Sequence, residues 1–432
     1  MSSADASREF ATQVVQTLQS AGYTALWAGG CVRDLLMGRE PQDYDVATNA
    51  RPEQVRDLFG HRKTLTVGES FGVVIVIGPR VHGVHLKVEV ATFRSEGAYP
   101  DGRRPDPSQI RFTTPEEDAQ RRDFTINGMF YDPVAGAVRD YVGGEADVRA
   151  GLVRAIGRPQ DRMQEDKLRM LRAVRFAATL DFELDPATAA AVQDMAPQLV
   201  VVSIERITQE LHKMLVSPHR RRAVRLVQQL GLLPVVLPEI GDLAAAVDLG
   251  PWAHLLDMLD QLDEPTFELA LATLLQRLPA SGGESKRDRD RAGTVAGVTR
   301  RLRLSNQQSD RTVWLVAHQR DLVEAPTLPA AKLKRVLAHP FADDLLKFVR
   351  ADVAARRGDA TAIEFVDRYL QQTPRKIIDP APLVTGADLI ALGQTPGPEF
   401  QSWLDRIRDE QLEDRVTTKE EAIARLKSWL LP

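Results

Sequence analysis

Two short segments near the N-terminus contain residues suited to binding a triphosphate and a metal ion. The segment Ala28-Gly-Gly-Cys-Val-Arg33 places two glycines ahead of an arginine, and Asp43-Tyr-Asp45 follows closely. Glycines let the backbone approach phosphates, and a guanidinium adds a charge-assisted contact. Asp43 and Asp45 would share one face of a strand and could hold Mg²⁺. Two such ions can activate an attacking hydroxyl and stabilise leaving pyrophosphate, which is the chemistry of nucleotidyl transfer.

Each segment alone is weak evidence. Gly-Gly pairs occur in ordinary turns, and Asp-X-Asp arises by chance in a chain with 27% charged residues. Two downstream blocks with complementary chemistry strengthen the interpretation. They are Arg121-Arg-Asp-Phe-Thr-Ile-Asn-Gly128 and Glu165-Asp-Lys-Leu-Arg-Met-Leu-Arg-Ala-Val-Arg-Phe176.

The second downstream block has an acid and three arginines at every third position, namely Asp166, Arg169, Arg172 and Arg175. This spacing predicts one helix face, which could simply carry ion pairs between turns. Beside a nucleotide, Asp166 and Arg169 would instead present an acceptor next to a fork of donors. Cytosine and adenine match that pattern, whereas uracil and guanine leave buried polar groups unpaired. The second interpretation predicts CTP and ATP as substrates, selected without a nucleic-acid template.

The blocks, in this order and spacing, resemble motifs of the class II tRNA nucleotidyltransferase (CCA-adding enzyme) and bacterial poly(A) polymerase family. Asp140-Tyr-Val-Gly-Gly144 resembles a further motif, and Ser203-Ile-Glu-Arg-Ile207 with Glu210 resembles the last one. The resemblance covers about the first half of the chain. It implies an α+β fold with an N-terminal DNA polymerase β-like nucleotidyltransferase head, which is a small mixed sheet with helices. An all-helical neck, body and tail would follow.

The resemblance also implies roles for individual residues of the first two segments. Gly29, Gly30 and Arg33 would bind the incoming nucleotide at its triphosphate. Asp43 and Asp45 would be the catalytic carboxylates and would hold Mg²⁺. The nucleophile would be the 3′-hydroxyl of tRNA, so the implied partners are tRNA, CTP and ATP.

Later residues would complete the nucleotide site by resemblance. Six of them are assigned to nucleotide binding: Arg122 and Asp123 at phosphate and ribose, Asp166 and Arg169 at the base edge, and Arg172 and Arg175 as supports or phosphate ligands. Glu89 is a possible third carboxylate near the metal ions, but a structural or peripheral role is favoured for it.

Local patterns assign these blocks to elements and divide the chain. Helical periodicity is found at residues 8–21 and 52–59, and strand patterns are found at 44–47, 71–77 and 86–93. Residues 95–110 contain three prolines and two glycines, which is typical of a loop. Helical patterns prevail after residue 150. We predict a catalytic head (1–147), a base-recognising neck (148–215), a body (216–320) and a tRNA-binding tail (321–432), with an exposed charged loop at 280–291.

Bulk properties agree with a multidomain cytoplasmic enzyme. The chain has 432 residues, of which 43% are hydrophobic, enough for a sizeable core. The single cysteine, Cys31, excludes an internal disulfide, and a small side chain is a better explanation of its position than thiol chemistry. No signal peptide or membrane span is predicted. The formal charge of −4 is unusual for an RNA-binding protein, but phosphate contacts need only a local basic patch. The oligomeric state is left open.

Two departures from the family pattern bear on function. Some relatives carry an HD phosphohydrolase signature after the neck, whereas this chain has Gln276 and Arg277 at the comparable place, so hydrolase activity is not expected. Gly128 stands where alanine is frequent, for which only closer packing is suggested.

Several functions remain open at this stage. The leading hypothesis is addition of all or part of the tRNA 3′-terminal CCA, including A-only or CC-only addition. Poly(A) polymerase is the alternative, and an RNA-binding pseudoenzyme is the non-catalytic one. The intact Arg33, Asp43 and Asp45 argue against a pseudoenzyme. The full length of the 95–110 segment favours addition of CCA or of A alone.

Overall fold

The computed structural model describes residues 3–66, 72–95, 111–244, 250–278 and 284–430. They fall into two compact units, Met1–Pro238 and Glu239–Pro432. Of the two predicted loops, residues 96–110 and 280–283 lie outside the described residues. The strand pair that flanks the first of these segments is described below.

The described strands all belong to the first unit: β1 (Ala25–Ala28), β2 (Asp45–Thr48), β3 (Thr64–Thr66), β4 (Val73–Val81), β5 (Val84–Thr92), β6 (Arg94–Ser95), β7 (Arg111–Phe112), β8 (Phe130–Asp132), β9 (Ala137–Arg139), β10 (Leu152–Val153) and β11 (Glu183–Leu184). Seven of them form one mixed sheet in the order β3-β4-β5-β2-β1-β8-β9. The pairs β6–β7 and β10–β11 are separate short ladders. β2 runs antiparallel to β1 and parallel to β5, which makes the sheet mixed, as predicted.

The helices of the first unit cover this sheet and then continue beyond it: α1 (Ser3–Ser20), α2 (Gly30–Leu36), α3 (Pro52–Phe59), α4 (Pro115–Gln120), α5 (Gly144–Ala150), α6 (Pro159–Glu165), α7 (Arg169–Leu180), α8 (Pro186–Met195), α9 (Ile204–Leu215), α10 (Arg220–Gln229) and α11 (Leu233–Val236). All four residues of β1, an interior strand of the sheet, are buried, which indicates that both faces of this strand are covered. A core cluster on the sheet includes Leu26, Phe93 and Phe130. The apolar face of α7 packs against α9 and α10.

The second unit is helical throughout its described residues: α12 (Gly241–Ala244), α13 (Pro251–Gln261), α14 (Phe267–Leu275), α15 (Glu284–Arg301), α16 (Asn306–Val323), α17 (Ala330–Ala338), α18 (Ala342–Arg356), α19 (Thr361–Gln372), α20 (Arg375–Ile378), α21 (Gly386–Ala391), α22 (Pro398–Leu412) and α23 (Lys419–Leu430). α14 is apolar almost all round and is correspondingly buried. It packs against α16 and α13. A separate core cluster joins α21, α22 and α23 through Leu389, Ile407 and Leu426.

The prediction of an exposed loop at 280–291 is wrong from Glu284 onward, where α15 begins. Dense charge does not prevent a helix, because Lys and Arg are good helix formers. The Gly282–Gly283 pair, which suggested a loop, lies ahead of the helix. The α+β class and the helical second half are confirmed. No described helix combines the length and apolar character that crossing a membrane requires.

Candidate active site

The glycine turn follows directly from the buried strand β1. Gly29 has φ +75° and ψ −126°, a backbone conformation that side chains other than glycine rarely adopt. A Cβ atom added there would lie 3.1 Å from Nη1 of Arg122. α2 starts at Gly30, so Arg33 lies on the first turn after the glycines. The turn therefore needs glycine both for its backbone conformation and for the close approach of a guanidinium.

The first residue of β2, Asp45, lies beside this turn. Asp45 pairs with Ala28 on β1 and with Glu89 on β5. Directly paired residues project from the same face of a sheet, so Glu89 is the neighbour of Asp45. A structural or peripheral position was favoured for Glu89, and the strand register places it beside Asp45 instead. Asp43 was expected to lie on the strand, but it precedes β2 by two residues.

Negative charge accumulates around Asp45. Loss of solvent around its carboxyl group raises the pKa from 3.8 to about 6, although the residue keeps contact with water. Glu89 raises this pKa further, Arg122 lowers it, and Asp43 raises it again. Repulsion among carboxylates is relieved when a cation binds between them. The oxygen donors and the surplus negative charge therefore fit a divalent cation. Within the described residues, no three His, Cys, Asp or Glu side chains are grouped closely enough to hold a metal ion by themselves.

Cys31 lies behind this site and has the properties of a packing residue. It is 4% exposed, and its Sγ donates to the backbone oxygen of Ala28 at 3.3 Å. Burial raises the pKa of its thiol to about 11. The thiol therefore stays protonated at neutral pH, in agreement with the size argument made from the sequence.

Two arginines are held at the glycine turn by neighbouring polar residues. Arg33 donates to Oδ1 of Asp34 at 2.7 Å and to Oδ1 of Asn127 at 2.9 Å. Arg122 donates to Oδ2 of Asp118 at 3.0 Å and to the backbone oxygen of Asn127 at 3.2 Å. Asp118 is 1% exposed, and the two adjacent arginines 121 and 122 lower its pKa against the effect of burial. Both guanidiniums are thus oriented before any ligand arrives.

Asp123 connects the Arg121–Gly128 block with α7. It is buried, and its Oδ2 accepts from Nη2 of Arg172 at 2.6 Å. Its Oδ1 accepts from the amide of Phe124 and from Asn127. Burial alone would raise the pKa of Asp123. The positive charges nearby, of which Arg172 has the largest effect, lower it instead to about 2. Asp123 is therefore a fixed anion that positions Arg172.

The base-reading pair differs from the arrangement that the sequence predicted. Asp166 is not on the arginine helix, because α6 ends at Glu165 and α7 begins at Arg169. Asp166 has φ −138° and ψ +105°, an extended backbone at the junction of the two helices. The three-residue periodicity holds for Arg169, Arg172 and Arg175 alone. Periodicity does not reveal such a break, because the residues on either side of it are helical.

Each member of the pair is held by its own partner. Arg169 is 7% exposed and donates to Oε2 of Glu165 at 2.6 Å and to the backbone oxygen of Arg121 at 3.1 Å. Asp166 accepts from Nη2 of Arg206 on α9 at 2.7 Å. Two elements thus fix the orientations of these side chains, α6 for Arg169 and α9 for Asp166.

Phe176 lies close to three of the arginines that were predicted to bind the nucleotide. The guanidinium carbons of Arg175, Arg172 and Arg33 lie 3.9, 5.3 and 5.5 Å from its ring centroid. Arg175 also donates to Oε2 of Glu210 on α9 at 2.6 Å. An aromatic face attracts cations, so one ring holds arginines from α2 and α7 together. The glycine turn and the arginine helix therefore belong to one cluster in the first unit.

Several residues of this cluster were not assigned from the sequence as site residues: Asp118, Asn127, Phe176, Arg206 and Glu210. Arg206 and Glu210 lie in or next to the segment that resembles the last motif, so their position in the sequence indicates that they could be site residues. The need of each buried charge for a counter-charge would have pointed to them.

Comparison with known proteins identifies the family. The chain is 34% identical over 420 residues to a CCA-adding enzyme of Lactobacillus helveticus, covering 96% of this chain and 95% of that protein. The chain belongs to the CCA-adding enzyme and poly(A) polymerase family of nucleotidyltransferases. Its residues 25–154 match the family model described as the poly A polymerase head domain. Residues 181–243 match the model described as a probable RNA and SrmB-binding site of polymerase A.

Other members of the family match over different lengths. A poly(A) polymerase I of Escherichia coli O6:H1 is 42% identical over 242 residues, which is 54% of this chain and 50% of that protein. The crystal structure of Bacillus stearothermophilus CCA-adding enzyme in complex with CTP aligns with a TM-score of 0.73 at 29% identity, covering 100% of this chain and 98% of that one. The resemblance noted from the motifs is confirmed. Nucleotidyltransferases of this family use a divalent metal.

Proposed function

We propose that this protein is a tRNA nucleotidyltransferase that adds the 3′-terminal CCA from CTP and ATP without a nucleic-acid template. The observation that carries the proposal is the extent of the match. The matches that span nearly the whole chain, one in sequence and one in fold, are to CCA-adding enzymes, whereas poly(A) polymerase I and other CCA-adding enzymes match about half of it. RNA selection by the second half of the chain is what would separate the two activities.

The roles proposed for the head residues follow from their chemistry. Asp43 and Asp45, with Glu89 beside them, would hold Mg²⁺, an ion that prefers a few carboxylates together with substrate phosphates. When bound, the metal lowers the pKa of the attacking hydroxyl and neutralises charge on the leaving pyrophosphate. Gly29 and Gly30 would let the triphosphate approach the backbone, while Arg33 and Arg122 donate to its oxygens.

The neck residues are proposed to select the base. Asp166 would accept from the exocyclic amino group, and Arg169 would donate to the ring acceptors. Arg206 and Glu165 hold these two side chains in place. Uracil or guanine would place a carbonyl against Asp166 and a ring N–H against Arg169, so that acceptor faces acceptor and donor faces donor, which costs roughly 1–3 kcal/mol for each group left buried and unsatisfied. Asp123 and Phe176 would keep Arg172 and Arg175 oriented toward the same nucleotide.

The same proposal divides the chain by task. Residues 1–147 would be the catalytic head and 148–215 the base-recognising neck. Residues 216–320 would be the body, and 321–432 would be the tail that binds tRNA. The presence of a single cysteine fits a cytoplasmic location, where tRNA is the substrate.

The experiment uses tRNA transcripts that end in the discriminator base, in C and in CC. Each is incubated with the purified protein, Mg²⁺ and one labelled nucleoside triphosphate, and product lengths are read on a sequencing gel. Incorporation of CTP on the first two transcripts and of a single ATP on the third supports CCA addition. The Asp45→Asn variant is the matched inactive control.

Other outcomes would select the alternatives. ATP incorporation on the CC transcript alone would indicate an A-adding enzyme, and CTP incorporation without ATP would indicate a CC-adding one. Long ATP-dependent tails on an unrelated RNA would indicate poly(A) polymerase. No incorporation on any RNA, with tRNA binding retained, would leave only the RNA-binding pseudoenzyme.

A further inference from the structure

A cavity of about 410 Å³ lies within the second unit, between α14, α15, α16 and α18. The charged side chains described in its lining are Arg277, Arg291, Arg320, Glu324, Asp352 and Arg356. Arginines thus outnumber carboxylates in the part of the lining that the structure describes. The cavity has the size that binds small ligands.

The two carboxylates described in the lining either have other partners or lie in solvent. Asp352 accepts from Nε of Arg356 at 3.0 Å, and Nε2 of His254 lies 2.7 Å from the same oxygen. That carboxylate is thus shared by two partners. Glu324 is exposed to solvent, where its charge is screened.

Arg277 is the most informative residue of the lining. It follows α14, and its Nε is buried without a hydrogen-bond partner among the described residues. Burial and the nearby Arg356 lower its pKa, Asp352 acts in the opposite direction, and Arg291 lowers it again. A buried N–H without an acceptor is unfavourable, and a bound anion would supply the acceptor that this Nε lacks.

We propose that this cavity binds a phosphate group. Arginine suits the role because its planar fork donates to two phosphate oxygens at once. Arg277 would be the central ligand, with Arg291, Arg320 and Arg356 around it. The phosphate would belong either to a small molecule such as pyrophosphate or to the backbone of a bound RNA. The site lies in the second unit and does not depend on the catalytic assignment in the first.

The test compares wild-type protein with Arg277→Gln and with Arg300→Gln, which removes an exposed arginine of α15 outside the cavity. Sodium pyrophosphate is titrated by calorimetry in EDTA, without divalent metal. Filter binding of tRNA is measured in parallel over a series of salt concentrations. Thermal melting without ligand checks the fold, and Arg277→Lys provides a variant that keeps the charge.

A small-molecule site predicts about tenfold weaker pyrophosphate binding in Arg277→Gln, the loss expected for one charge-assisted hydrogen bond, and no change in Arg300→Gln. An RNA-backbone site predicts weaker tRNA binding and a salt slope reduced by about one in Arg277→Gln only. Arg277→Lys should lose less in either case, because it retains the charge. If Arg277→Gln and Arg277→Lys both match wild type with both ligands, the proposal is overturned.

Discussion

Loss of solvent, together with the neighbouring carboxylates, favours the protonated form of Asp45 when no metal is bound. Its pKa lies at about 6 in the folded protein and near 3.8 in the unfolded chain. The folded state therefore binds more protons between these values, so the free energy of unfolding falls as pH rises from about 4 to 6. A bound cation should reverse this effect, because it favours the ionised carboxylate.

We expect Asp45→Asn to stabilise the metal-free protein at pH 7 while abolishing nucleotide incorporation. Removing the charge relieves the repulsion from Glu89 and Asp43, and solvent screening limits the gain to about 1 kcal/mol. Urea unfolding in EDTA at pH 4 and pH 7 measures the effect. The variant should lose the pH dependence that wild type shows in this range. Equal stability of both proteins at pH 7 would contradict the assigned environment.

Asp123 is the opposite case, a carboxylate stabilised as an anion. Its folded pKa of about 2 lies below the unfolded value of 3.8, so its contribution is present above pH 4 and is lost as pH falls toward 2. We expect Asp123→Asn to destabilise the protein by about 2 kcal/mol at pH 7, since the shift corresponds to this energy and Asp123 is buried.

Asp161→Asn is the control for this variant. Asp161 forms an exposed ion pair with Arg158, and such pairs contribute less than about 1 kcal/mol. Urea unfolding at pH 7 and pH 3 compares the two variants. A loss in Asp123→Asn that is as large at pH 3 as at pH 7 would show that packing, and not the charge on Asp123, accounts for it.

At the scale of elements, close packing around residue 128 explains why a glycine occupies this position. A Cβ at this position would lie 2.7 Å from Cγ2 of Val142 and 3.0 Å from Cδ1 of Ile156. We expect Gly128→Ala to destabilise the protein by roughly 1–3 kcal/mol through overpacking. Adding Val142→Ala should recover part of the loss, because it removes the nearest contact. Thermal melting of the single and double variants measures this coupling.

Gly293→Ala is the matched control for Gly128. Gly293 lies within α15 and has open space around its Cα, so alanine there should leave stability unchanged or raise it by up to about 1 kcal/mol. If Gly128→Ala is as harmless as Gly293→Ala, Val142 can move aside and the position tolerates alanine.

Elements with strong local signals were predictable. Pro52 at a helix start and the glycine after Phe59 set the bounds of α3, which the sequence predicted without error. The break at Asp166 was not predictable, because it depends on Arg206 from α9, forty residues away. The proximity of Glu89 to Asp45 was not predictable either, because it results from the parallel pairing of β2 with β5, which no local sequence pattern specifies. α15 was missed because glycine and charge at its start outweighed its helix-forming residues.

At the scale of the whole molecule, the two compact units contain different proposed sites. Every residue assigned to the nucleotide site lies in Met1–Pro238, and the poly(A) polymerase match covers about the same length of chain. The cavity lined by arginines and the proposed tRNA-binding tail lie in Glu239–Pro432. Nucleotide choice and RNA choice are therefore expected to be separable.

We expect a fragment of residues 1–238 to bind CTP and ATP within about threefold of the full chain, because all the charge partners described for the site lie within it. Its affinity for tRNA should fall by at least about tenfold, since the fragment lacks the proposed tRNA-binding tail and the arginines of the proposed phosphate site. Equilibrium dialysis with each nucleotide and filter binding with tRNA make the comparison. A fragment that binds tRNA as tightly as the full chain would place RNA recognition in the first unit and contradict the division of tasks. If the fragment folds but no longer discriminates against UTP and GTP, base selection needs the second unit. That outcome would contradict the assignment of base selection to contacts within the first unit.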